Sequence, residues 1–111
     1  AGALAQLYGQ LGGETIYFGK PHLPIYDIAR KRLGEFTGRA LADSRILAVG
    51  DGPLTDIKGA NDAGIDALFI TGGIAAGDCG PGPDSPEEHR VALVLERAGI
   101  HAVGAMPRLV W

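Results

Sequence analysis

Cysteine is nearly absent, with Cys79 alone in 111 residues. One cysteine excludes an internal disulfide and a cysteine-built zinc site, and the sparing usage fits a reducing compartment, so a cytoplasmic location is expected. Histidine is scarce too: His22, His89 and His101 lack the spacing of metal ligands. No apolar run approaches the length of a membrane span. The net charge of -3 comes with no basic stripe, so neither a membrane nor a nucleic acid is an expected partner. Ala1 to Leu11 has neither the basic start nor the long apolar stretch of a signal peptide. The dinucleotide fingerprint GxGxxG is missing, and no Asp-x-Asp occurs anywhere.

What is present suits a folded domain. Apolar residues make up 46%, enough for a globular core, and the 18 glycines and 7 prolines fall at loop positions rather than in a low-complexity run. Leu4, Leu7, Tyr8 and Leu11 recur at helical spacing, and Gly12-Gly13 ends that helix. Thr15 to Phe18 are β-branched or aromatic and predict a short strand. Pro24 suits a first helical turn, followed by the stripe Ile25, Ile28, Ala29 and Leu33, with Arg30 to Arg32 toward the helix's C-terminal end. Residues 34–44 read as a polar loop. Ile46 to Val49 form an unbroken apolar run, predicting a strand buried on both faces. Thr55 is placed to cap a helix over Asp56 to Ala63, closed by Gly64.

Ala67 to Ile70 predict another strand, and residues 75–84 a Gly/Pro loop. Ser85-Pro86-Glu87-Glu88 has capping-box spacing, opening a helix that buries Val91, Val94, Leu95 and Ala98. A last strand is expected near Leu109 and Val110. Strands alternating with helices imply parallel pairing, hence an α/β fold with a Rossmann-like open parallel sheet and flanking helices. Both ends are expected to continue into a longer polypeptide. An exposed sheet edge would be open to pairing with another copy as a homo-oligomer.

Ligands of open parallel sheets bind beyond the carboxyl ends of the strands. Lys20 and Asp51 are expected there, each just past a predicted strand. A carboxylate at that edge suits magnesium, which takes one or two carboxylates and keeps several waters. An ammonium suits phosphate oxygens. Asp56 would support the metal through a water or through the loop, while Gly50 and Gly52 permit close backbone approach. Taken singly these residues are ordinary: an aspartate after a strand is commonly a turn residue, and a carboxylate favours a helix N-terminus. Their joint placement carries the reading. His22, after Lys20-Pro21, is a weaker candidate for touching substrate, and Cys79 has no basic neighbour in sequence to make it reactive.

YFGKPHLPIYDIA followed by ILAVGDGPLTDIKGANDAGIDALFITGGI resembles the C-terminal half of haloacid dehalogenase (HAD) superfamily phosphatases of subclass IIA. The likeness rests on GKP (Gly19, Lys20, Pro21) and on GDxxxTD (Gly50, Asp51, Gly52, Thr55, Asp56) at this separation. It implies that Lys20 is the catalytic lysine, holding the nucleophile and the transferring phosphoryl group. It further implies that Asp51 coordinates Mg²⁺ with Asp56 supporting the site. The family's nucleophile is an aspartate that forms an aspartyl-phosphate, with a second aspartate two residues later as general acid/base. That pair is not in this sequence. The resemblance therefore implies the C-terminal part of a phosphatase acting on a small phosphorylated metabolite, inactive by itself, with residues 1–12 as the end of the cap domain or its return helix and residues 13–111 as the C-terminal part of the HAD core domain. The sequence departs from the pattern at Gly52-Pro53 and at His22. The competing reading is a non-catalytic HAD-like binding module.

Overall fold

In the computed structural model, which describes residues 2–110, eight regular elements follow one another. They are α1 (Gly2–Gln10), α2 (Leu23–Thr37), β1 (Leu47–Gly50), α3 (Lys58–Asp62), β2 (Asp66–Ile70), α4 (Ala76–Cys79), α5 (Glu88–Ala98) and β3 (Gly104–Met106). The three strands form one parallel sheet in the order β1-β2-β3. Its register runs from Leu47 opposite Asp66 to Gly50 opposite Phe69, then from Leu68 opposite Gly104 to Ile70 opposite Met106. Parallel neighbours need a crossover between them. A π-helical turn, Pro53–Ile57, runs into α3 to make the first, and α4 with α5 makes the second. The result is the expected α/β arrangement.

The pleat sorts β2 into two faces. Ala67 and Phe69 point inward and are buried, while Leu68 and Ile70 on the other face are half-buried. Phe69, fully buried, joins Ile57, Ala60, Ile65, Ala75, Cys79, Val91 and Tyr26 in one core. The core lies between the sheet and the helices that cross over it. α5 contributes Val91 and, less buried, Val94 and Leu95, the face its spacing predicts, and Gly99 at φ 63° ends it in the left-handed conformation.

Several local expectations are corrected. Thr15 to Phe18 form no strand; the segment lacks a ladder partner among the described residues, and Ile16 and Phe18 are exposed. Helix α2 continues to Thr37, into the expected loop, so Arg30 to Arg32 are mid-helix and its last turn carries no basic residue. Of the expected stripe Ile25 and Leu33 turn inward, joined by Tyr26 and Arg30, whereas Ile28 and Ala29 are exposed. The reason is that the Arg30 Nη2 group bonds the Ala63 carbonyl at 2.6 Å while Tyr26 inserts beside α3.

Strand β1 is not buried on both faces, because it is an edge: Leu47 and Val49 are exposed. Helical structure starts at Pro53, so Thr55 lies inside a turn whose cap residue is Gly52, and it makes no capping bond. The expected 75–84 loop contains α4. Ser85 does not cap α5, whose cap position is Glu87. The last strand is Gly104–Met106; Leu109 and Val110 lie beyond it and are exposed. α1 forms where its periodicity predicts, but Leu4, Leu7, Tyr8 and Leu11 all face solvent and the helix buries none of its residues.

Candidate active site

The Lys20 side chain reaches Asp56 Oδ1 in a close ion pair. The other oxygen, Asp56 Oδ2, accepts the Gly52 N–H at 2.9 Å. That bond follows from the sequence locally: Gly52 caps the Pro53–Ile57 turn, and an acidic residue in the first turn reaches back to the cap N–H. Both oxygens of Asp56 are thus held by protein. Burial works to raise the Asp56 pKa, but the Lys20 hydrogen bond, the Gly52 N–H and the Lys20 charge together outweigh it and lower it. The Lys20 pKa is raised, chiefly by the Asp56 hydrogen bond and against desolvation, with a smaller contribution from the Asp51 charge.

Close backbone approach brings these parts together. A Cβ on Gly50 would stand 2.3 Å from Asp56 Cβ, and one on Gly59 would stand 2.2 Å from the Tyr26 hydroxyl and 2.9 Å from Pro21 Cα. Gly59 therefore lets α3 meet the Gly19–Pro21 turn, whose Lys20-Pro21 peptide is cis. Tyr26 OH lies 3.5 Å from the Asp56 carbonyl, a long contact that places the ring over the same turn.

Asp51 follows β1 directly. Its Oδ2 accepts the Ile74 N–H at 2.9 Å, and Gly73 lies against the carboxylate, where a Cβ would stand 2.0 Å from Oδ2. The residue lines a cavity of about 360 Å³ at the carboxyl ends of the strands, with Gly50, Gly72, Gly73, Pro107 and Arg108 among its walls. A larger cleft, about 690 Å³, lies between the Gly52–Thr55 turn and α5, but neither Lys20 nor Asp51 lines it. Of the two residues only Asp51 lines the smaller cavity, at the strand ends where open parallel sheets bind ligands, and Lys20 lines neither.

Lys20 and Asp51 do not meet across the ends of adjacent strands, as expected from sequence. They come within electrostatic range because Lys20 is tied to Asp56 at the start of the helical crossover that follows Asp51. His22 lies apart: its ring stacks on Tyr17 with centroids 4.9 Å apart, and it occupies the cap position of α2. Cys79 is buried in α4, and burial raises its thiol pKa. Sequence reasoning missed Gly73, Ile74, Gly59 and Tyr26 as parts of the site. Gly73 had a signal, since a second glycine after a strand marks close approach of another group. Tyr26 had none, because its role depends on a helix 30 residues away.

The donor chemistry fits one magnesium ligand from this chain. Asp51 presents a carboxylate with one oxygen anchored by a backbone N–H, while Asp56 is already committed to Lys20 and Gly52. Among the described residues no three acidic, histidine or cysteine side chains cluster as a complete cage.

Comparison with known proteins converges on one family. The HAD-hydrolase-like family model matches residues 17–101. A cardiolipin synthase (CMP-forming) / mitochondrial hydrolase fusion protein of Schizosaccharomyces pombe (strain 972 / ATCC 24843) is 37% identical over 67 residues, 58% of this chain and 11% of that protein. The crystal structure of a hydrolase of the haloacid dehalogenase-like family from Brucella suis 1330 superimposes with a TM-score of 0.67 at 41% identity, over 98% of this chain and 36% of that one. The chain thus spans only a minor part of both relatives. No helix among the described residues is long and apolar enough to cross a membrane.

Proposed function

Because the chain belongs to the HAD-like hydrolase family, we propose that it supplies the metal-holding and lysine-bearing part of a subclass IIA-type Mg²⁺-dependent phosphatase. Its substrate would be a small phosphate monoester in the cytoplasm, and the nucleophilic aspartate lies outside residues 1–111. The observation that supports this most is the linked set Lys20–Asp56–Gly52 next to Asp51 at the strand ends. Such a set fixes an ammonium on the loop that follows Asp51, and a phosphate must be neutralised before another anion can attack it.

Asp51 would ligate magnesium directly, and Asp56 would hold the loop and the lysine that flank it. When bound, magnesium neutralises phosphoryl charge. Lys20 keeps its proton because Asp56 stabilises the ammonium, so it offers a fixed positive charge to the nucleophile and the transferring group. Asp56 in turn stays ionised, since its net shift is downward. Among the described residues β1 is an edge strand with an exposed outer face, which suits a further parallel strand carrying the nucleophile, because parallel sheets are ordinarily covered on both faces.

The test is an assay of the full-length protein with p-nitrophenyl phosphate, with and without Mg²⁺. Wild-type turnover should require the metal, and Asp51→Asn should lower kcat by about 10²–10³, the usual loss when a charge-stabilising group is removed. Undiminished, metal-independent turnover in that variant would sink the mechanism.

A further inference from the structure

We propose that the cavity beside Asp51 is a subsite for a carboxylate on the leaving group of the substrate, with Arg108 as the residue that recognises it. The inference rests on the phosphatase reading above and names the substrate class for that site.

Arg108 is the only cationic side chain among the residues that line this cavity, and Asp51 is the only anionic one. The cavity wall therefore carries one charge of each sign: Asp51 suits a cation, and Arg108 suits a second anion. Its volume of about 360 Å³ falls at the low end of the range for small-molecule sites.

The backbone that carries Arg108 is fastened to the site. Thr71 N–H donates to the Met106 carbonyl at 2.9 Å and Gly72 N–H to the Pro107 carbonyl at 3.0 Å. A Cβ on Gly72 would stand 2.3 Å from that Pro107 oxygen, so the Gly72 turn and the segment after β3 are in direct apposition. Arg108 thus starts from a fixed point on the cavity wall.

Its guanidinium already displays the relevant chemistry. Nε donates to Asp84 Oδ1 at 2.7 Å, and Nη2 makes a second close contact with Asp84 Oδ2. This is two-point recognition of a carboxylate by the planar fork. Both partners are more than half exposed, at 64% and 54%, so the pair is weak in water and can be exchanged for a substrate carboxylate. A site that satisfies a charged group in this way discriminates against the analogue lacking it.

The experiment uses the full-length protein with Mg²⁺ and a matched pair of substrates, phenyl phosphate and 4-carboxyphenyl phosphate. Arg108→Ala should raise KM for the carboxylated ester about tenfold more than it raises KM for phenyl phosphate, the worth of one charge-assisted pair. Asp84→Asn, which removes the competing carboxylate, should lower KM for the carboxylated ester alone. Equal effects on both esters, or no effect on the carboxylated one, would overturn the subsite.

A binding arm separates the two levels of the reading. Calorimetry with benzylphosphonate and 4-carboxybenzylphosphonate should show tighter binding of the carboxylated compound, abolished by Arg108→Ala. Equal affinities in wild type overturn the subsite. Discrimination without any wild-type turnover would leave the subsite standing and overturn the phosphatase reading.

Discussion

Gly59 shows how much a single residue can decide here. Its missing side chain is the space occupied by the Tyr26 hydroxyl and by Pro21, so the Lys20 turn and the helix after Asp56 touch through it. Gly59→Ala must push that turn away. The expected cost is about 1–3 kcal/mol, as for other overpacked sites, and thermal or denaturant unfolding checks it. The same variant in the full-length protein should lose activity beyond its loss of stability, because Lys20 moves with Pro21. Cys79 makes the opposite case. Burial raises its thiol pKa and removes it from solvent, so a thiol reagent such as Ellman's should leave the native protein unlabelled and modify it fully only on unfolding.

At the scale of elements, one ion pair joins the turn before α2 to the helical turn before α3. The sign of its pH dependence follows from the two shifts. Asp56 has a folded pKa below its ordinary value of 3.8, so its contribution is present above that pH and is lost as pH falls through the folded value. Lys20 has a folded pKa above its ordinary value of 10.5, so its contribution is complete below that pH and is lost as pH rises through the folded value. Comparing the Tm of wild type and Asp56→Asn across pH should therefore give a constant gap between these limits and a shrinking gap below pH 3.8. A gap that persists undiminished into strong acid would mean that the carboxylate does not stabilise this junction. α1 shows that an element can form without docking. Its apolar residues meet the spacing of an amphipathic helix yet find no surface among the described residues.

At the scale of the molecule, helices among the described residues cover Ala67 and Phe69 on one face of the sheet. Leu47 and Val49 on the opposite face stand open, beside a β1 edge that no other described strand pairs. An uncovered parallel sheet is not a stable surface for a monomer in water, and it is a place where further polypeptide would dock. The expected outcome is that residues 1–111, purified alone, show no Mg²⁺-dependent hydrolysis of p-nitrophenyl phosphate, whereas the full-length protein does. Robust turnover by residues 1–111 would place a nucleophile within this chain and refute the division of the site.

The sequence by itself determined whatever depends on near neighbours. Alternating apolar runs and helical stripes were enough for a parallel α/β fold. The apolar run ending at Gly50 was enough to put Asp51 just past a strand, but the expected strand before Lys20 does not form, and Lys20 pairs with Asp56 instead. Tertiary structure alone decided the rest. Whether Thr15 to Phe18 becomes a strand depends on a ladder partner, and strand composition cannot supply one. Which face of α2 turns inward depends on the Ala63 carbonyl and on the gap at Gly59, both far along the chain. Arg108 lies on the cavity wall, beyond a β3 that closes at Met106 rather than running on to Val110 as the apolar tail suggests. In each case the deciding term is a contact between residues distant in sequence, set by packing and hydrogen bonding across elements, and local periodicity carries no record of it.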